Sequence, residues 1–410
     1  MSRLEGIQRK KLQTTVEHAY RNVPFYHRKF RDAGVTPSDI QSVADLSKLP
    51  LTTKLEVQST TPTNFVSKKS NPRTGIRRRT SGSTGRPLTI TVDPKAIDFE
   101  TAMWVRTFRA NGLKVKDRMA FIADPRSFPR TRWLRRTRVV SRRYISIFDK
   151  ASTQLAFLRR YRPNAIKAYP SSLRILADAY SQREPEISPR MVFTSAELLD
   201  NEAKRLISSA FETEVYDNYA CSEFGLLGWE CHQHEGYHLN VESVAIEFVK
   251  HGEAVAPGES GEVVCTSLEN TTMPLIRYRL EDVGVPLEEP CSCGITLPLI
   301  KVVEGRVDDF LTATDGKIIP PTVFFPYPFE NMDGVKQFRV IQEKKDKLTF
   351  QLVENGNRVD DAQILAKAKR KIQDLFGDDM EIEFQIKKRL DRNSSGKLRK
   401  IISHVPVHFG

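Results

Sequence analysis

Residues 80–87 of this 410-residue chain form a stretch rich in glycine and hydroxyl side chains, Thr80-Ser81-Gly82-Ser83-Thr84-Gly85-Arg86-Pro87. Its glycines let the backbone turn sharply and approach a ligand closely. Successive backbone N–H groups in such a turn form a concave site for anionic oxygens, while the hydroxyl side chains add donors and the arginine adds a positive charge. The stretch therefore predicts a loop that holds phosphate groups. The alternative interpretation is an ordinary surface loop rich in serine and glycine.

The residues that follow this loop distinguish it from a Walker loop. Leu88-Thr89-Ile90-Thr91-Val92 has the β-branched alternation of a strand, so we expect the loop to join two strands. A Walker loop instead joins a strand to a helix and ends in Gly-Lys-Ser or Gly-Lys-Thr, which this stretch lacks.

Outward from the loop, the pattern of the chain changes twice. Strand-like and helical segments alternate from about residue 94 to residue 211, which predicts α/β layers. Strands dominate after Glu214, and a small α+β unit is predicted beyond Gly305. We therefore predict an α/β fold class, with a large multi-layer α/β N-terminal domain (residues 1–305) that contains a β-rich subdomain. A small mobile α+β C-terminal domain (residues 306–410) follows it.

Periodicity also predicts individual elements. A helical pattern runs over about residues 4–31 and is broken at Pro24. Further helices are predicted over residues 172–182, 201–211 and about 361–376, and strands over residues 118–122, 165–169, 190–194, 243–249, 261–266, 337–342 and 347–353.

Composition limits the class of protein. Apolar residues make up 39% of the chain, which is ordinary for a globular protein, and no stretch approaches the roughly 20 apolar residues that cross a bilayer. The N-terminus has no apolar core behind its basic residues, so no secretory signal is predicted and we expect a cytoplasmic protein. Five cysteines, an odd number, argue against a disulfide framework.

The chain is strongly basic, with a net charge of +13 and seven arginines between Arg130 and Arg143. Such a charge attracts polyanions in general. Three interpretations of the arginine run stay open: a solvated helix face, contact with a polyanion or a membrane surface, and binding of an anionic co-substrate. No nucleic-acid partner is expected, and the sequence leaves a homodimer open.

Five further segments follow the loop in order and carry a resemblance. They are Thr194-Ser195-Ala196-Glu197, Asp217-Asn218-Tyr219-Ala220-Cys221-Ser222-Glu223, Arg277-Tyr278-Arg279-Leu280-Glu281-Asp282, Gly305-Arg306-Val307-Asp308-Asp309 and Asp391-Arg392-Asn393-Ser394-Ser395-Gly396-Lys397. Together with the loop they resemble the motifs of the adenylate-forming superfamily, which includes the acyl-CoA synthetases. Val23-Pro24-Phe25-Tyr26 and the cysteine pattern are most similar to the phenylacetate–CoA ligase-like family, and Asp315-Gly316-Lys317-Ile318-Ile319-Pro320-Pro321 is similar to its capsular-polysaccharide-associated branch.

The resemblance implies an ATP-dependent, AMP-forming acid–thiol ligase. In the family's reaction a carboxylate attacks the α-phosphate of ATP, and catalysis rests on positioning and on neutralising phosphate charge. Catalytic roles are implied for Lys397, Glu223 and Thr84, with Glu223 as the Mg²⁺ ligand. Binding of the nucleotide is implied for Thr80, Ser81, Gly82, Ser83, Gly85, Arg86, Ser195, Ala196, Glu197, Asp217, Asn218, Tyr219, Ser222, Asp282 and Arg306.

Particular roles come with the resemblance. Tyr219 would stack on adenine, Asp217 would accept from the adenine amino group, and Asp282 would accept from both ribose hydroxyls. Lys397 would bring a mobile point charge to the reacting oxygens. Asp308 would lie at a hinge about which the small domain rotates between adenylation and thioester formation.

The sequence departs from the family pattern at two places. Ala220 stands where the family has glycine, and Leu280-Glu281 replaces Thr-Gly. An alanine does not adopt a positive φ cheaply, so either the turn is relaxed here or the pocket differs.

Four residues outside these motifs predict a metal site. Cys231, His238, Cys291 and Cys293 supply three thiolates and one imidazole, which is a tetrahedral zinc set. Such a site would be structural, because four protein ligands leave no open position. Buried free thiols are the alternative interpretation, and His232 and His234 are rival ligands.

The main functional hypothesis is therefore an acid ligase that uses ATP, Mg²⁺ and CoA, acts on a small-molecule carboxylic acid and carries structural Zn²⁺. A second hypothesis keeps the adenylation but transfers the acyl group to an amine, hydroxyl or carrier acceptor in polysaccharide or cofactor biosynthesis. A third is a non-catalytic nucleotide- or polyanion-binding protein. The presence of Lys397 and Glu223 argues against the third.

Overall fold

The computed structural model describes residues 2–70, 74–80, 88–125, 141–180, 187–306, 310–319, 335–354, 362–391 and 398–405. These residues form mixed α/β layers around one sheet of twelve strands, with a separate sheet of four strands near the C-terminus. The predicted α/β fold class is confirmed. The predicted division between residues 305 and 306 falls at the end of a strand, Leu299–Arg306, and stays a prediction.

The helices are given by their bounds: α1 Ser2–Asn22, α2 Pro24–Asp32, α3 Lys54–Ser59, α4 Pro62–Phe65, α5 Pro94–Ala110, α6 Ala151–Tyr161, α7 Pro170–Ala179, α8 Asn201–Phe211 and α9 Ala362–Phe376. The predicted break at Pro24 is confirmed, because the chain is non-helical at Val23 and Pro24 starts the next helix. Among the described residues, no helix is both long and apolar enough to cross a bilayer.

The twelve-stranded sheet has a parallel half and an antiparallel half. The parallel half runs in the order β4 (Ser141–Ser146), β3 (Arg118–Ala123), β5 (Ala165–Ala168), β6 (Met191–Ser195) and β7 (Val215–Cys221). The antiparallel half continues from β7 through β8 (Gly225–Glu230), β9 (Tyr237–Leu239), β14 (Leu299–Arg306), β13 (Tyr278–Leu287), β12 (Gly261–Ser267), β10 (Val244–Lys250) and β11 (Glu253–Ala254). This division agrees with the predicted change of pattern after Glu214.

Two smaller sheets pair strands locally. β1 (Ile76–Arg79) pairs antiparallel with β2 (Thr89–Val92), so the prediction that the glycine-rich loop joins two strands is confirmed. β15 (Leu311–Thr312) pairs with β16 (Ile318–Ile319). The four-stranded sheet has the order β19 (Glu381–Ile386), β18 (Lys347–Glu354), β17 (Val335–Lys344) and β20 (Ile401–Ser403).

The parallel half is buried on both faces because its strands carry apolar side chains on alternate sides. On one face Ile166 and Val192 pack in a cluster with the apolar residues of α6, α7 and α8. On the other face Phe193 packs with Phe108 of α5. Helices on both sides of a parallel sheet leave only the ends of the strands open, which is where α/β proteins place their ligands.

The edge of the parallel half is formed by β4, which carries Arg142 and Arg143. Charged side chains on an edge strand discourage pairing with other chains. The other arginines of the predicted run lie at residues 130–138, outside the described residues, so the three interpretations of the run stay open.

Candidate functional site

The predicted adenine-side segments meet at the carboxyl ends of β6 and β7. Ser195 and Asn218 are Cα partners in the parallel pairing of these strands. Both side chains are buried. Residues of two separate predicted motifs, 194–197 and 217–223, therefore lie side by side at the carboxyl ends of β6 and β7.

A hydrogen bond joins the parallel and antiparallel halves at this end of the sheet. The Tyr219 hydroxyl donates to Oδ2 of Asp282, at 2.7 Å, from a position 63 residues away in sequence. Burial, followed by the charge of Asp282, raises the pKa of Tyr219, so this hydroxyl stays protonated and donates. Asp282 is buried, with 7% of its surface exposed.

Asp217 faces the opposite side of β7 from Asn218, in a closed hydrogen-bond network. Its carboxylate accepts from the Thr194 hydroxyl and, at 2.8 Å, from the Tyr237 hydroxyl. Burial, followed by the charge of Glu230, raises the pKa of Asp217 to about 6. Contact of Asp217 with an adenine amino group stays a prediction, and such a group would have to share these oxygens.

Asn218 offers an acceptor that no described residue uses. Its Nδ2 donates to the Thr194 carbonyl, at 2.9 Å, which fixes the orientation of the amide. Its Oδ1 atom is buried and has no hydrogen-bond partner within the described part of the chain. A buried unpaired acceptor is costly, and a ligand that donates to it would remove that cost.

Glu223 lies in the turn between β7 and β8, after Ser222. It lines a cleft of about 430 Å³ together with Arg78 and Glu100, which form an ion pair with each other. The cleft also adjoins the β1–β2 hairpin that carries the glycine-rich loop, since Arg78 belongs to β1. A carboxylate in such a place fits the predicted Mg²⁺ ligand, because Mg²⁺ prefers oxygen donors shared with phosphates.

Thr80 closes the base of the glycine-rich loop. Its backbone N–H donates to the Leu88 carbonyl, and its hydroxyl oxygen accepts from the Leu88 N–H, both at 2.9 Å. The remaining predicted loop residues, Ser81, Gly82, Ser83, Thr84, Gly85 and Arg86, lie outside the described residues, as do Asp308 and Lys397. Arg306 is described only as the last residue of β14, without its side chain.

The departures from the family pattern have local consequences. Ala220 lies within the extended strand β7, and the positive φ of this turn is at Gly225, at 75°. The relaxed turn is therefore the alternative that the structure favours. Glu281, in place of the family's glycine, takes a φ of 64°, and Ala196 takes a φ of 72°. Both conformations are strained for residues with a side chain.

Glu197 binds a segment from the far end of the chain. Its carboxylate accepts from the N–H and the hydroxyl of Ser171, each at 3.0 Å, and from the Leu398 N–H at 2.9 Å. Three residues further on, Asp200 forms an ion pair with Lys400. Sequence reasoning missed Asp200 and Lys400 as site residues, because nothing in their local pattern indicates a contact across 200 residues.

A second missed feature is Lys167, the one charged residue of β5. Its Nζ lies 3.1 Å from the centroid of the Trp104 ring, and no ion pair of this lysine is found among the described residues. Burial lowers the pKa of Lys167 to about 7. A single lysine in an otherwise apolar strand was the available signal.

The four predicted zinc ligands are brought together. The ligand atoms of Cys231, His238, Cys291 and Cys293 all lie within 4.8 Å of one another. The Cys231 and Cys291 sulfurs are 3.5 Å apart, and the Cys293 sulfur is 3.4 Å from Nε2 of His238. Burial lowers the pKa of His238, so its ring keeps a lone pair for a metal at neutral pH. This donor set and spacing fit a tetrahedral Zn²⁺ ion.

The rival histidines take other places. His234 is hydrogen-bonded through Nδ1 to Lys204 and Glu230 and stacks on Tyr216. His232 contacts Gln233 at an exposed position. Neither belongs to the group of four ligand atoms.

Comparison with known proteins confirms the resemblance read from the motifs. Residues 311–404 match the family model described as the CapK C-terminal domain. Phenylacetate-coenzyme A ligase of Escherichia coli (strain K12) is 27% identical over 330 residues, which cover 77% of this chain and 74% of that protein. Protein CapK of Staphylococcus aureus is 22% identical over 414 residues, which cover 97% of this chain and 89% of that protein.

Solved structures share the fold. The 2-hydroxyisobutyryl-CoA ligase in its postadenylation state matches with a TM-score of 0.81 at 19% identity, over 97% of this chain and 89% of that chain. The same enzyme in its thioesterification state matches with a TM-score of 0.64 at 21% identity, over 98% of this chain and 90% of that chain. The TM-score is thus higher for the first of these two structures.

Proposed function

We propose that this chain, a relative of the phenylacetate-coenzyme A ligases and of CapK, is an AMP-forming ligase that activates a small carboxylic acid and transfers it to CoA. The carboxylate oxygen forms a bond to the α-phosphorus of ATP while pyrophosphate leaves. The CoA thiol then forms a bond to the acyl carbon, and AMP leaves with that carboxylate oxygen. The relatives named above support this reaction.

The observation that carries the proposal is the meeting of distant predicted motifs at one end of the sheet. Asn218 pairs with Ser195, Tyr219 bonds to Asp282, and Glu197 bonds to Leu398, which directly follows Lys397 in sequence. Contacts over 63 and 201 residues join segments that local structure alone would not bring together.

The described residues suit a nucleotide in their chemistry. The unpaired Oδ1 of Asn218 is an acceptor for an amino group. The carboxylate of Asp282 is an acceptor of the kind that ribose hydroxyls need. Glu223 would hold Mg²⁺, which would neutralise charge on the phosphates. Lys397 would stabilise charge on the reacting oxygens, as a positioned cation does best away from bulk water.

ATP–pyrophosphate exchange tests the first step directly. The purified protein is incubated with ATP, labelled pyrophosphate and single acids, starting with phenylacetate, 2-hydroxyisobutyrate and anthranilate. We expect exchange that depends on the acid, and a loss of at least about a hundredfold in Lys397→Ala. Lys388→Ala, a nearby lysine outside the predicted motif, is the control. Absence of acid-dependent exchange across a broad panel would contradict the proposal.

The relationship to CapK favours a second candidate for the acceptor. CapK covers 97% of this chain, and the C-terminal family match is to its domain. In this alternative the acyl adenylate forms as above, but an amine, hydroxyl or carrier takes the acyl group in place of CoA. Acid-dependent exchange combined with no CoA thioester by mass spectrometry would support this candidate over the first.

We also propose that the Cys/His cluster, Cys231, His238, Cys291 and Cys293, holds a structural Zn²⁺ ion. Its support is the closeness of the four ligand atoms and the burial of three of the residues. A closed set of four protein ligands leaves no position for substrate, so the ion would stabilise the fold between β8, β9 and the 291–293 turn. Metal analysis of the purified protein tests this and should find about one zinc per chain.

A further inference from the structure

We propose that Asp200 and Glu197 form, with Lys400 and Leu398, a reversible contact that positions the C-terminal segment for adenylate formation and plays no part in thioester formation. We call these four residues the C-terminal contact. The proposal rests on the proposed function, because it assigns the contact to one of the two steps.

The contact has a fixed half on the large sheet. Glu197 lies two residues after the end of β6, and its carboxylate accepts hydrogen bonds from the N–H and hydroxyl of Ser171 at the start of α7. Asp200 is the N-cap of α8 and accepts from the Ala203 N–H at 2.8 Å. Both carboxylates are thus oriented by hydrogen bonds to their own side of the contact, and each presents charge outward.

The C-terminal half reaches these carboxylates through two residues of one short segment. The Leu398 N–H donates to Oε1 of Glu197 at 2.9 Å, and the Lys400 ammonium pairs with Asp200. Burial raises the pKa of the Asp200 carboxyl, but Lys400 and the N-cap hydrogen bond outweigh it and hold the pKa below its usual range. The segment then continues into β20, where Ile401 pairs with Val340 of the four-stranded sheet.

The composition of the contact suits it to opening. The bonds that join its two halves include one backbone hydrogen bond and one ion pair, whose side chains are 21% exposed for Lys400 and 12% exposed for Asp200. Charged groups near the surface are readily rehydrated, so the bonds can exchange for water at small cost.

The position of the contact in sequence links it to the chemistry. Leu398 and Lys400 follow Lys397 by one and three residues. Fixing both of them to the large sheet restricts the region that the Lys397 backbone can occupy. A cation that must lie within hydrogen-bond reach of reacting oxygens benefits from such restriction.

Two solved states of the neighbour indicate which step uses the contact. This chain matches the 2-hydroxyisobutyryl-CoA ligase with a TM-score of 0.81 in the postadenylation state and 0.64 in the thioesterification state. The contact therefore belongs to an arrangement that resembles the first. We assign it to adenylate formation for this reason.

The test separates the two steps. Asp200→Asn removes the charge but keeps an N-cap of the same shape, and Lys400→Met removes the other partner while keeping its length. ATP–pyrophosphate exchange measures the first step. Thioester formation from a chemically prepared acyl adenylate and CoA measures the second. The prepared adenylate carries an acid that supports exchange in the wild type.

We expect exchange to fall about tenfold in both variants while the second step stays within about twofold of wild type. Lys400→Arg, which keeps the charge, should restore most of the exchange. Lys29→Met is the matched control, because Lys29 also pairs with a carboxylate, Glu56, at 3.0 Å, with 12% of its side chain exposed. It should change neither step.

Each contrary result has a separate meaning. Unchanged exchange in both variants would overturn the contact, and so would an equal loss in both steps, which indicates a structural role. A wild-type protein that shows no acid-dependent exchange would contradict the proposed function itself. The contact would then lose the reaction to which we assign it.

Discussion

The Cys/His cluster and the C-terminal contact both join segments that are distant in sequence, but they differ in the chemical groups that make the connection. The cluster consists of thiols and an imidazole packed against Trp229 and Leu299. The contact consists of carboxylates, an ammonium group and a backbone N–H, partly open to solvent. The first is suited to permanent joining and the second to repeated breaking.

Solvent explains the difference. Separating buried soft ligands from a metal exposes apolar surface and leaves charges in a dry environment, which is costly. Separating a partly exposed ion pair returns two ions to water, and this costs less than leaving charges in a dry interior.

The largest expected effect is on the cluster. Cys291→Ser replaces a sulfur ligand by a weaker oxygen ligand, so the protein should lose its zinc and at least about 3 kcal/mol of its free energy of unfolding. Metal analysis and urea unfolding measure the two quantities. Cys265→Ser, at another buried cysteine that lies outside the cluster, is the control.

The control should cost no more than about 1–2 kcal/mol and should leave the metal content unchanged. If Cys291→Ser behaves in the same way as Cys265→Ser, the cluster is a group of ordinary buried thiols. The Cys/His cluster would then not be a permanent, metal-held connection between its segments.

An intermediate effect is expected at Lys167, a half-buried lysine that belongs neither to the Cys/His cluster nor to the C-terminal contact. The pKa of Lys167 in the folded protein, about 7, lies below the ordinary lysine value of 10.5, so the unfolded chain binds more protons between these pH values. Stability therefore rises with pH over this range and is lowest near and below pH 7. Lys167→Met should raise the free energy of unfolding by roughly 1–3 kcal/mol at pH 7, less whatever the Trp104 contact contributes.

The advantage of Lys167→Met should shrink as the pH is raised from 7 towards 9, as followed by urea unfolding at each pH. Lys400→Met is the comparison, because that lysine is paired and its loss should give no gain in stability. A constant difference between Lys167→Met and wild type across this pH range would show that the lysine does not titrate as the structure implies.

The smallest effect concerns the strained backbone beside the contact. Ala196 has a φ of 72°, and Ala196→Gly should relieve strain and raise the free energy of unfolding by up to about 1 kcal/mol. The same change at Ala156, exposed within α6, should lower it by about 1 kcal/mol. Opposite signs for one chemical change would confirm the strain; equal signs would argue against it.

Much of the local structure was predictable. α8 runs over Asn201–Phe211 as its periodicity predicted, and β6 differs from its prediction by one residue at each end. The grouping of Cys231, His238, Cys291 and Cys293 was also predictable, because cysteine and histidine in this number are uncommon and chemically specific. In both cases the signal lies in residue type and local spacing, which a single sequence contains.

The long-range pairing was not predictable. β9 lies between β8 and β14, although β14 follows it by about 60 residues, and no local pattern indicates that order. The local sequence around Asp200 indicates only a helix N-cap, and Lys400 is one of many basic residues near the C-terminus. Their pairing depends on how two sheets pack together, which is a property of the whole chain.

The left-handed backbone at Glu281 shows a different limit. The resemblance predicted a glycine-like position there, and the departure suggested a relaxed turn or a changed pocket. The backbone at Glu281 has the positive φ that glycine favours and is therefore strained. Ala220 lies within a strand and is not strained in this way. Which outcome occurs depends on the surrounding hydrogen bonds, and the sequence does not display them.

Following one carboxylate oxygen of the substrate shows whether an acyl adenylate is formed and then cleaved at the acyl carbon. An acid that supports exchange is labelled with ¹⁸O in both carboxylate positions and converted with ATP and CoA. The mass of the nucleotide product is then measured by mass spectrometry. If an acyl adenylate forms and is broken at the acyl carbon, AMP carries one ¹⁸O atom. Thioester formation with unlabelled AMP, or with ADP and labelled inorganic phosphate, would contradict the account.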